Sequence, residues 1–362
     1  MNTSLVGAKP AVVRDARQRA DPLPGTAGFA GQIDGALVRD VLGRQPLFSE
    51  RGDPTAWSHN PAALDDAVAV PAGHVRDTRG DRRVWTLPDP APTTDHDAAI
   101  GAVRTAIDES VRALSTDGLA VAFSGGVDSA VLAARLDVPL YTVGFPDSHD
   151  VEAARSGGAL LGQDVRVIEL DHDALTAAIS RLVAAIGRTN AMDVQIALPL
   201  LLAAEAAAAD GFDRLAVGQG ADELFGGYAK VARAPDDPRV QADTVRGARR
   251  EVLATLPAQL ERDVLALREA GVEPVAPLLH DRVVAAALAL PGELLVTDRG
   301  DRKWALRQAV RPWLPDPLVY REKKAVQYGS LVARELDRLA RQNGFKRRMD
   351  DHVTAYVESL VE

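Results

Sequence analysis

The chain has 362 residues and no cysteine. Disulfides, cysteine-ligated zinc and a thiol nucleophile are therefore excluded within it. Lysine is scarce too, at six of the 42 basic residues. No basic stretch exceeds three residues and the net charge is −9, which argues against general nucleic-acid binding. No apolar run approaches the roughly 18–20 residues that span a bilayer. The stretch 196–209 is apolar but short, and Glu205 interrupts it. Lys9, Arg14 and Arg17 are not followed by an apolar segment, so the start does not read as a signal peptide. A cytoplasmic location, with no membrane partner, is the expectation. Hydrophobic residues make up 46%, enough for a sizeable core and too many for global disorder.

Four parts are expected along the chain. Residues 1–25 lack sustained periodicity and end in Asp21-Pro22-Leu23-Pro24-Gly25, which reads as a flexible, loosely held leader. Residues 26–92 read as β-rich: Ala36-Leu37-Val38, Gln45-Pro46-Leu47-Phe48 and Arg83-Val84-Trp85-Thr86-Leu87 are short apolar pieces split by turn formers. Three prolines in Pro88-Asp89-Pro90-Ala91-Pro92 mark a linker. From about 95 to 330 strands alternate with helices. Helical spacing over 97–114 is followed by strands at 118–123, 139–144, 165–170 and 214–218. Helices at about 128–136, 151–162, 172–186 and 192–210 separate them. That alternation predicts an α/β fold with a doubly wound parallel sheet. From about 236 the pattern is almost wholly helical, and 331–362 reads as a C-terminal helical extension.

The loop Ser124-Gly125-Gly126-Val127-Asp128-Ser129 directly follows the first strand of that alternating region. Two glycines let backbone N–H groups converge on an anion, and the following helix start adds unpaired N–H groups and a positive dipole end. Ser124 and Ser129 add hydroxyls. Asp128 beside a phosphate makes sense with Mg²⁺ between them. A tight turn capped by Asp or Ser is the plainer alternative. The spacing fits neither a dinucleotide fingerprint nor a Walker loop.

A second motif is Gly218-Gln219-Gly220-Ala221-Asp222-Glu223-Leu224-Phe225-Gly226-Gly227-Tyr228. It leaves the end of a predicted strand, where doubly wound sheets bind ligands, and it carries two adjacent carboxylates. The bland alternative is a helix start with acidic first-turn residues.

Residues 124–129 resemble the PP-loop of N-type ATP pyrophosphatases, and 218–228 resemble the G-x-G-x-D-E-x-F-G-G-Y signature of the asparagine synthetase family. The resemblance spans roughly 97–330. Gly271-Val272-Glu273, Pro277-Leu278-Leu279, Lys303, Leu306 and Arg307 match further family segments. Arg321-Glu322-Lys323 matches its R-x-K, and Gln327-Tyr328-Gly329-Ser330 the archaeal-type branch. The resemblance implies an adenine nucleotide α-hydrolase-like sheet with a helical C-terminal part. It implies an ATP-dependent, AMP-forming ligase that adenylates a carboxylate, by default aspartate, and joins it to ammonia. ATP would lie on Ser124, Gly125, Gly126, Asp128 and Ser129, with adenosine near Val143, Val217 and Gly218. Mg²⁺ would sit on Asp128 and Asp222. Lys323 would be the active-site lysine, with Lys324 as the adjacent alternative. Lys303 and Arg307 share a helical face, which suits a phosphate contact or an ordinary surface equally.

Three features depart from the family. Arg39-Asp40-Val41-Leu42-Gly43-Arg44-Gln45-Pro46-Leu47 and Pro71-Ala72-Gly73-His74 resemble parts of its glutaminase domain, yet no cysteine is present. The N-terminal region therefore reads as a shortened glutaminase remnant, and ammonia would come free or from a separate glutaminase. Gln219 stands where many members carry glutamate, and Val275 and His280 replace an arginine and an aspartate. Family likeness also points to a homodimer. Alternative readings are a β-lactam synthetase-like ligase using another amine, a PP-loop tRNA-modifying enzyme, and a non-catalytic nucleotide-binding relative.

Overall fold

The computed structural model describes residues 5–234, 236–321 and 331–361. In chain order the early elements are β1 (Leu5–Val6), α1 (Pro10–Arg19), β2 (Ala30–Ile33), β3 (Ala36–Arg39), β4 (Phe48–Glu50), β5 (Asp53–Ser58), β6 (Ala67–Ala69), β7 (His74–Asp77), β8 (Gly80–Arg83) and α2 (His96–Arg112). Next come β9 (Leu119–Ala122), α3 (Val127–Leu136), β10 (Leu140–Gly144), α4 (His149–Leu161), β11 (Val165–Glu169), α5 (His172–Ile186), α6 (Ala191–Ala209) and β12 (Arg214–Ala216). Then follow α7 (Ala221–Phe225), α8 (Ala229–Ala232), α9 (Val245–Glu269), β13 (Glu273–Val275), α10 (Asp281–Leu288), α11 (Gly292–Leu295) and α12 (Trp304–Val310). The chain closes with α13 (Asp316–Val319), α14 (Leu331–Gln342) and α15 (His352–Ser359).

Two compact units are built from interleaved pieces. The first takes 1–114, 218–261 and 276–312, and the second takes 115–217, 262–275 and 313–362. The expected boundary at 92–95 thus lies inside the first unit.

The first unit opens with two antiparallel sheets, β1-β2-β3-β7-β8 and β5-β4-β6. The expected loose leader is instead ordered from Leu5. β1 pairs with β2, and α1 buries Val13 and Ala16 against Phe29, Val38, Val75 and Trp85. The Trp85 indole donates to the Ala16 carbonyl at 3.2 Å and stands edge-on to Phe29. The sequence hides this helix because only two of its ten residues are fully buried, and their partners lie far along the chain. The proline-rich segment is also held: Arg246 donates to the Pro90 carbonyl at 2.7 Å and Arg250 to that of Pro88 at 2.9 Å.

The second unit contains the expected doubly wound parallel sheet, in the order β11-β10-β9-β12-β13. β9 has Leu119, Ala120 and Val121 fully buried, as a central strand covered on both faces requires. Its neighbours on either side continue in opposite directions along the sequence, so the order reverses between β9 and β12. That reversal is where such sheets open a ligand crevice at their carboxyl ends. One strand was not expected: β13 runs parallel to β12 in a region that reads as helical. It is three residues long and contains Pro274, tolerated because it sits on the sheet edge.

The apolar stretch also differs from expectation. Helix α6 begins at Ala191, so by length and composition alone it could cross a membrane. In this unit Val194, Ala197, Leu198, Leu201, Ala204 and Ala207 are completely buried, where α6 packs on β9 and β10. Helices α14 and α15 also pack on α6, and His172 at the start of α5 meets Glu335 of α14 at 2.7 Å.

Candidate functional site

The phosphate loop is closed by its own serine. Ser129 is buried; its hydroxyl accepts from the Ser124 N–H at 3.1 Å and donates to the Gly126 carbonyl at 3.2 Å. Ser129 therefore braces the loop, whereas Ser124 is exposed, with its hydroxyl 3.3 Å from that of Ser129. Side chains of Ser148, Asp171 and Asn190 cap α4, α5 and α6, but Gly126 offers none to α3. The first turn of α3, with Asp128 in it, therefore starts without a side-chain cap, a geometry that suits an anion. Gly125 has φ +70°, and a Cβ there would lie 2.3 Å from the Ala153 carbonyl oxygen. The loop backbone accordingly rests directly on the backbone of α4.

Arg321 holds this contact together. Its guanidinium donates to the carbonyls of Gly125 at 3.0 Å and Ala153 at 2.7 Å, and to the Ser156 hydroxyl at 3.1 Å. Sequence reading valued this arginine only as a neighbour of Lys323. Its role depends on two carbonyls some 170–200 residues away, which no local pattern announces. Lys323 and Lys324 lie outside the described residues, as do residues 327–330. Of the expected adenosine neighbours, one lies in a sheet strand and the others just after one. Val143 lies within β10, opposite Ile168 of β11, and Val217 is buried with its N–H given to the Val275 carbonyl at 2.9 Å. Gly218 is half-buried.

The second motif forms a short helix between two left-handed glycines, Gly220 (φ +89°) and Gly226 (φ +73°). Asp222 and Glu223 occupy its first turn with different fates. Asp222 pairs with Lys303 at 2.7 Å, with side-chain exposures of 17% and 4%. Lys303 is therefore not on a surface face, which corrects one of the two expectations held for it. Its left-handed backbone, φ +58°, turns it inward just before α12. The neighbouring Arg307 Nε donates to the Arg302 carbonyl at 2.9 Å. Glu223 is buried and accepts from the Tyr228 hydroxyl at 2.5 Å. Burial pushes its carboxyl above the usual range and the Asp222 charge adds to this, against the Tyr228 hydrogen bond and Lys303.

That shift has a testable sign. A carboxyl raised in the folded state stabilises the fold below its ordinary pKa of 4.5 and loses that contribution as pH rises through the raised value. Glu223→Gln keeps an acceptor for Tyr228 but never ionises. Urea unfolding should show E223Q gaining on the parent between pH 5 and pH 8. A pH-independent difference would refute the buried acid.

Two residues that depart from the family have local roles. Val275 ends β13 and accepts from Val217, and His280 Nδ1 accepts from the Arg282 N–H at 3.2 Å to cap α10.

Among the described residues no group of three or more His, Asp or Glu could hold a metal by protein ligands alone. Mg²⁺ in phosphate sites commonly uses only one or two carboxylates together with substrate oxygens.

The chain has relatives among known proteins. The provisionally named glutamine-hydrolysing asparagine synthetase 1 of Methanocaldococcus jannaschii is 29% identical over 296 residues, covering 72% of this chain and 54% of the relative. Glutamine-hydrolysing asparagine synthetase 2 of Arabidopsis thaliana is 26% identical over 331 residues, covering 81% of this chain and 56% of the relative. The chain thus spans about half the length of the curated relatives it matches. Among solved structures, the NH3-dependent NAD synthetase of Campylobacter jejuni matches 74% of this chain and 94% of its own, at 13% identity and a TM-score of 0.30. The asparagine synthase family model matches residues 102–252 and 236–360, most of the chain including both motifs, and the protein belongs to that family.

Proposed function

We propose that this chain is an ATP-dependent, AMP-forming amide ligase. A substrate carboxylate oxygen attacks the α-phosphorus of ATP, the bond to the bridging oxygen breaks, and pyrophosphate leaves. An amine nitrogen then attacks the acyl carbon, AMP departs with the bonding pair, and the amine proton passes to a base. The observation that carries this reading is the phosphate loop: a glycine turn after β9, seated on α4, opening onto an uncapped helix start. Asp128 and Asp222 would hold Mg²⁺, which when bound would stabilise negative charge on the departing pyrophosphate. Lys303 holds Asp222 at a fixed position, and Arg321 holds the loop. Aspartate is the first carboxylate to test, by family membership. Ammonia, free or from a separate glutaminase, is the first amine, because no thiol in this chain can attack glutamine.

ATP–pyrophosphate exchange across a panel of carboxylates with Mg²⁺ tests the first half-reaction. Exchange is expected with at least one carboxylate, and AMP with pyrophosphate as products once an amine is added. ADP with phosphate would overturn the mechanism. Lys323→Ala should abolish exchange and Lys324→Ala should retain it; the reverse result would move the lysine assignment by one residue. Amide formed from glutamine but not from ammonium would contradict the cysteine argument.

A further inference from the structure

The N-terminal region has no thiol nucleophile, but its most deeply buried charges pack toward the acidic motif. Arg44 is 4% exposed, Asp40 0% and Asp281 2%. Arg44 Nε donates to Asp40 Oδ1 at 2.8 Å, and Nη1 lies 2.7 Å from Asp281 Oδ1. The same Nη1 donates to the Leu279 carbonyl at 2.7 Å. Burial works against the Arg44 charge, and the two carboxylates together more than offset it. Asp281 in turn grips the N-terminal segment. Its Oδ2 accepts from the Thr26 N–H at 2.7 Å and hydroxyl at 3.1 Å, and its N–H donates to the Thr26 carbonyl at 2.8 Å. Gly28 leaves the space that Arg44 fills: a Cβ there would lie 2.5 Å from Arg44 Cβ.

Leu279 carries this grip onward. It is 1% exposed, and a Cβ on Gly220 would lie 2.4 Å from its Cδ2. Gly220 is the residue from which α7 starts, with Asp222 two positions on. A close-packed core transmits displacement rather than absorbing it, so the position of Leu279 limits where Gly220 can sit.

We propose that Arg44 of the N-terminal region is a positioning residue for the acidic motif, fixing Leu279, and through it Gly220 and the orientation of Asp222. The geometric claim stands apart from the reaction; its consequence for nucleotide handling rests on the ligase reading. The cysteine-free region thereby has a task in the synthetase part.

Removing Arg44 alone would strand two buried carboxylates and risk unfolding. The triple variant Arg44→Met, Asp40→Asn, Asp281→Asn removes all three charges at similar volume. Arg44→Lys keeps the charge but loses the planar fork that reaches two partners at once. Both are compared with the parent full-length chain by hydrogen–deuterium exchange of peptides covering 218–228, with thermal unfolding alongside. Exchange there should accelerate about tenfold or more in the triple variant and several-fold in R44K, while peptides from α5 and α15 stay at parent rates. MgATP, measured by calorimetry, should bind the variants at least tenfold more weakly. Parent-like exchange at 218–228 in R44K overturns the proposal, whether or not the triple variant folds. Equal acceleration in α5 and α15 also overturns it, because it would mark general loosening. A parent that binds no MgATP would count against the ligase reading and leave the exchange result intact.

Discussion

Replacing Gly227 by alanine should disable the acidic motif without removing any charged group. A Cβ at this position would lie 1.9 Å from Asp222 Oδ1, 2.3 Å from Lys303 Cε and 2.8 Å from the Asp222 Cα. The first two atoms belong to the ion pair between buried Lys303 and half-buried Asp222, and the third is backbone, so a side-chain rotation alone cannot clear the clash. The surroundings are also fixed. Arg302 donates to the Gly227 carbonyl at 2.7 Å, and the Gly227 N–H donates to that of Asp222 at 2.8 Å. The added methyl must therefore separate Asp222 from Lys303. Breaking a buried pair costs about 3–5 kcal/mol, a large part of the roughly 5–15 kcal/mol that holds a domain together. Urea unfolding of G227A should show a loss of about 3 kcal/mol or more, with exchange activity lost at temperatures where the variant is still folded. Lys303→Met should act in the same direction by a different route, because it removes the cation facing the Asp222 carboxylate at nearly unchanged volume. A G227A protein within about 1 kcal/mol of the parent would show that Asp222 and Lys303 do not meet as described.

The second large effect is expected at Gly125. Its φ of +70° is strained for any residue with a Cβ, and that atom would meet Ala153 O at 2.3 Å and Ala153 C at 2.6 Å. Both obstacles are helix backbone, so Gly125→Ala must lift the phosphate loop from α4 or shift the helix. Backbone strain of this kind costs about 1–3 kcal/mol, and loss of convergence among the loop N–H groups adds to it in binding. MgATP affinity should fall by about 100-fold or more, equivalent to roughly 2.7 kcal/mol. Arg321→Ala should act in the same direction less strongly, since it removes the clamp and leaves the seat. Guanidinium added to R321A should restore part of the affinity. Unchanged affinity in G125A would mean that nucleotide phosphates do not lie on this loop.

Much of the second unit was legible because its signals are local. β9 is a short apolar run followed at once by glycines, and α5 shows regular apolar spacing between an Asp171 cap and a Gly187 stop. Such elements announce their own limits. α1 and β13 were not legible. α1 is ordered by Trp85 and Phe29, and β13 by a strand partner nearly 60 residues earlier. Neither carries enough periodicity of its own to be read alone.

The same division runs through the candidate site. The sequence by itself determined the chemistry on offer: a glycine loop with Asp128, a double acid at 222–223, a lysine-bearing R-x-K, and no thiol anywhere. Those depend on residue type and short spacing. Only the tertiary structure decided what each group does there. It made Ser129 a brace, took Lys303 off the surface and onto Asp222, gave Arg321 to the phosphate loop, and tied Arg44 to Leu279. The physical reason is that a buried charge or hydroxyl must find a partner, and that partner is set by which distant segments pack together rather than by neighbours in the chain.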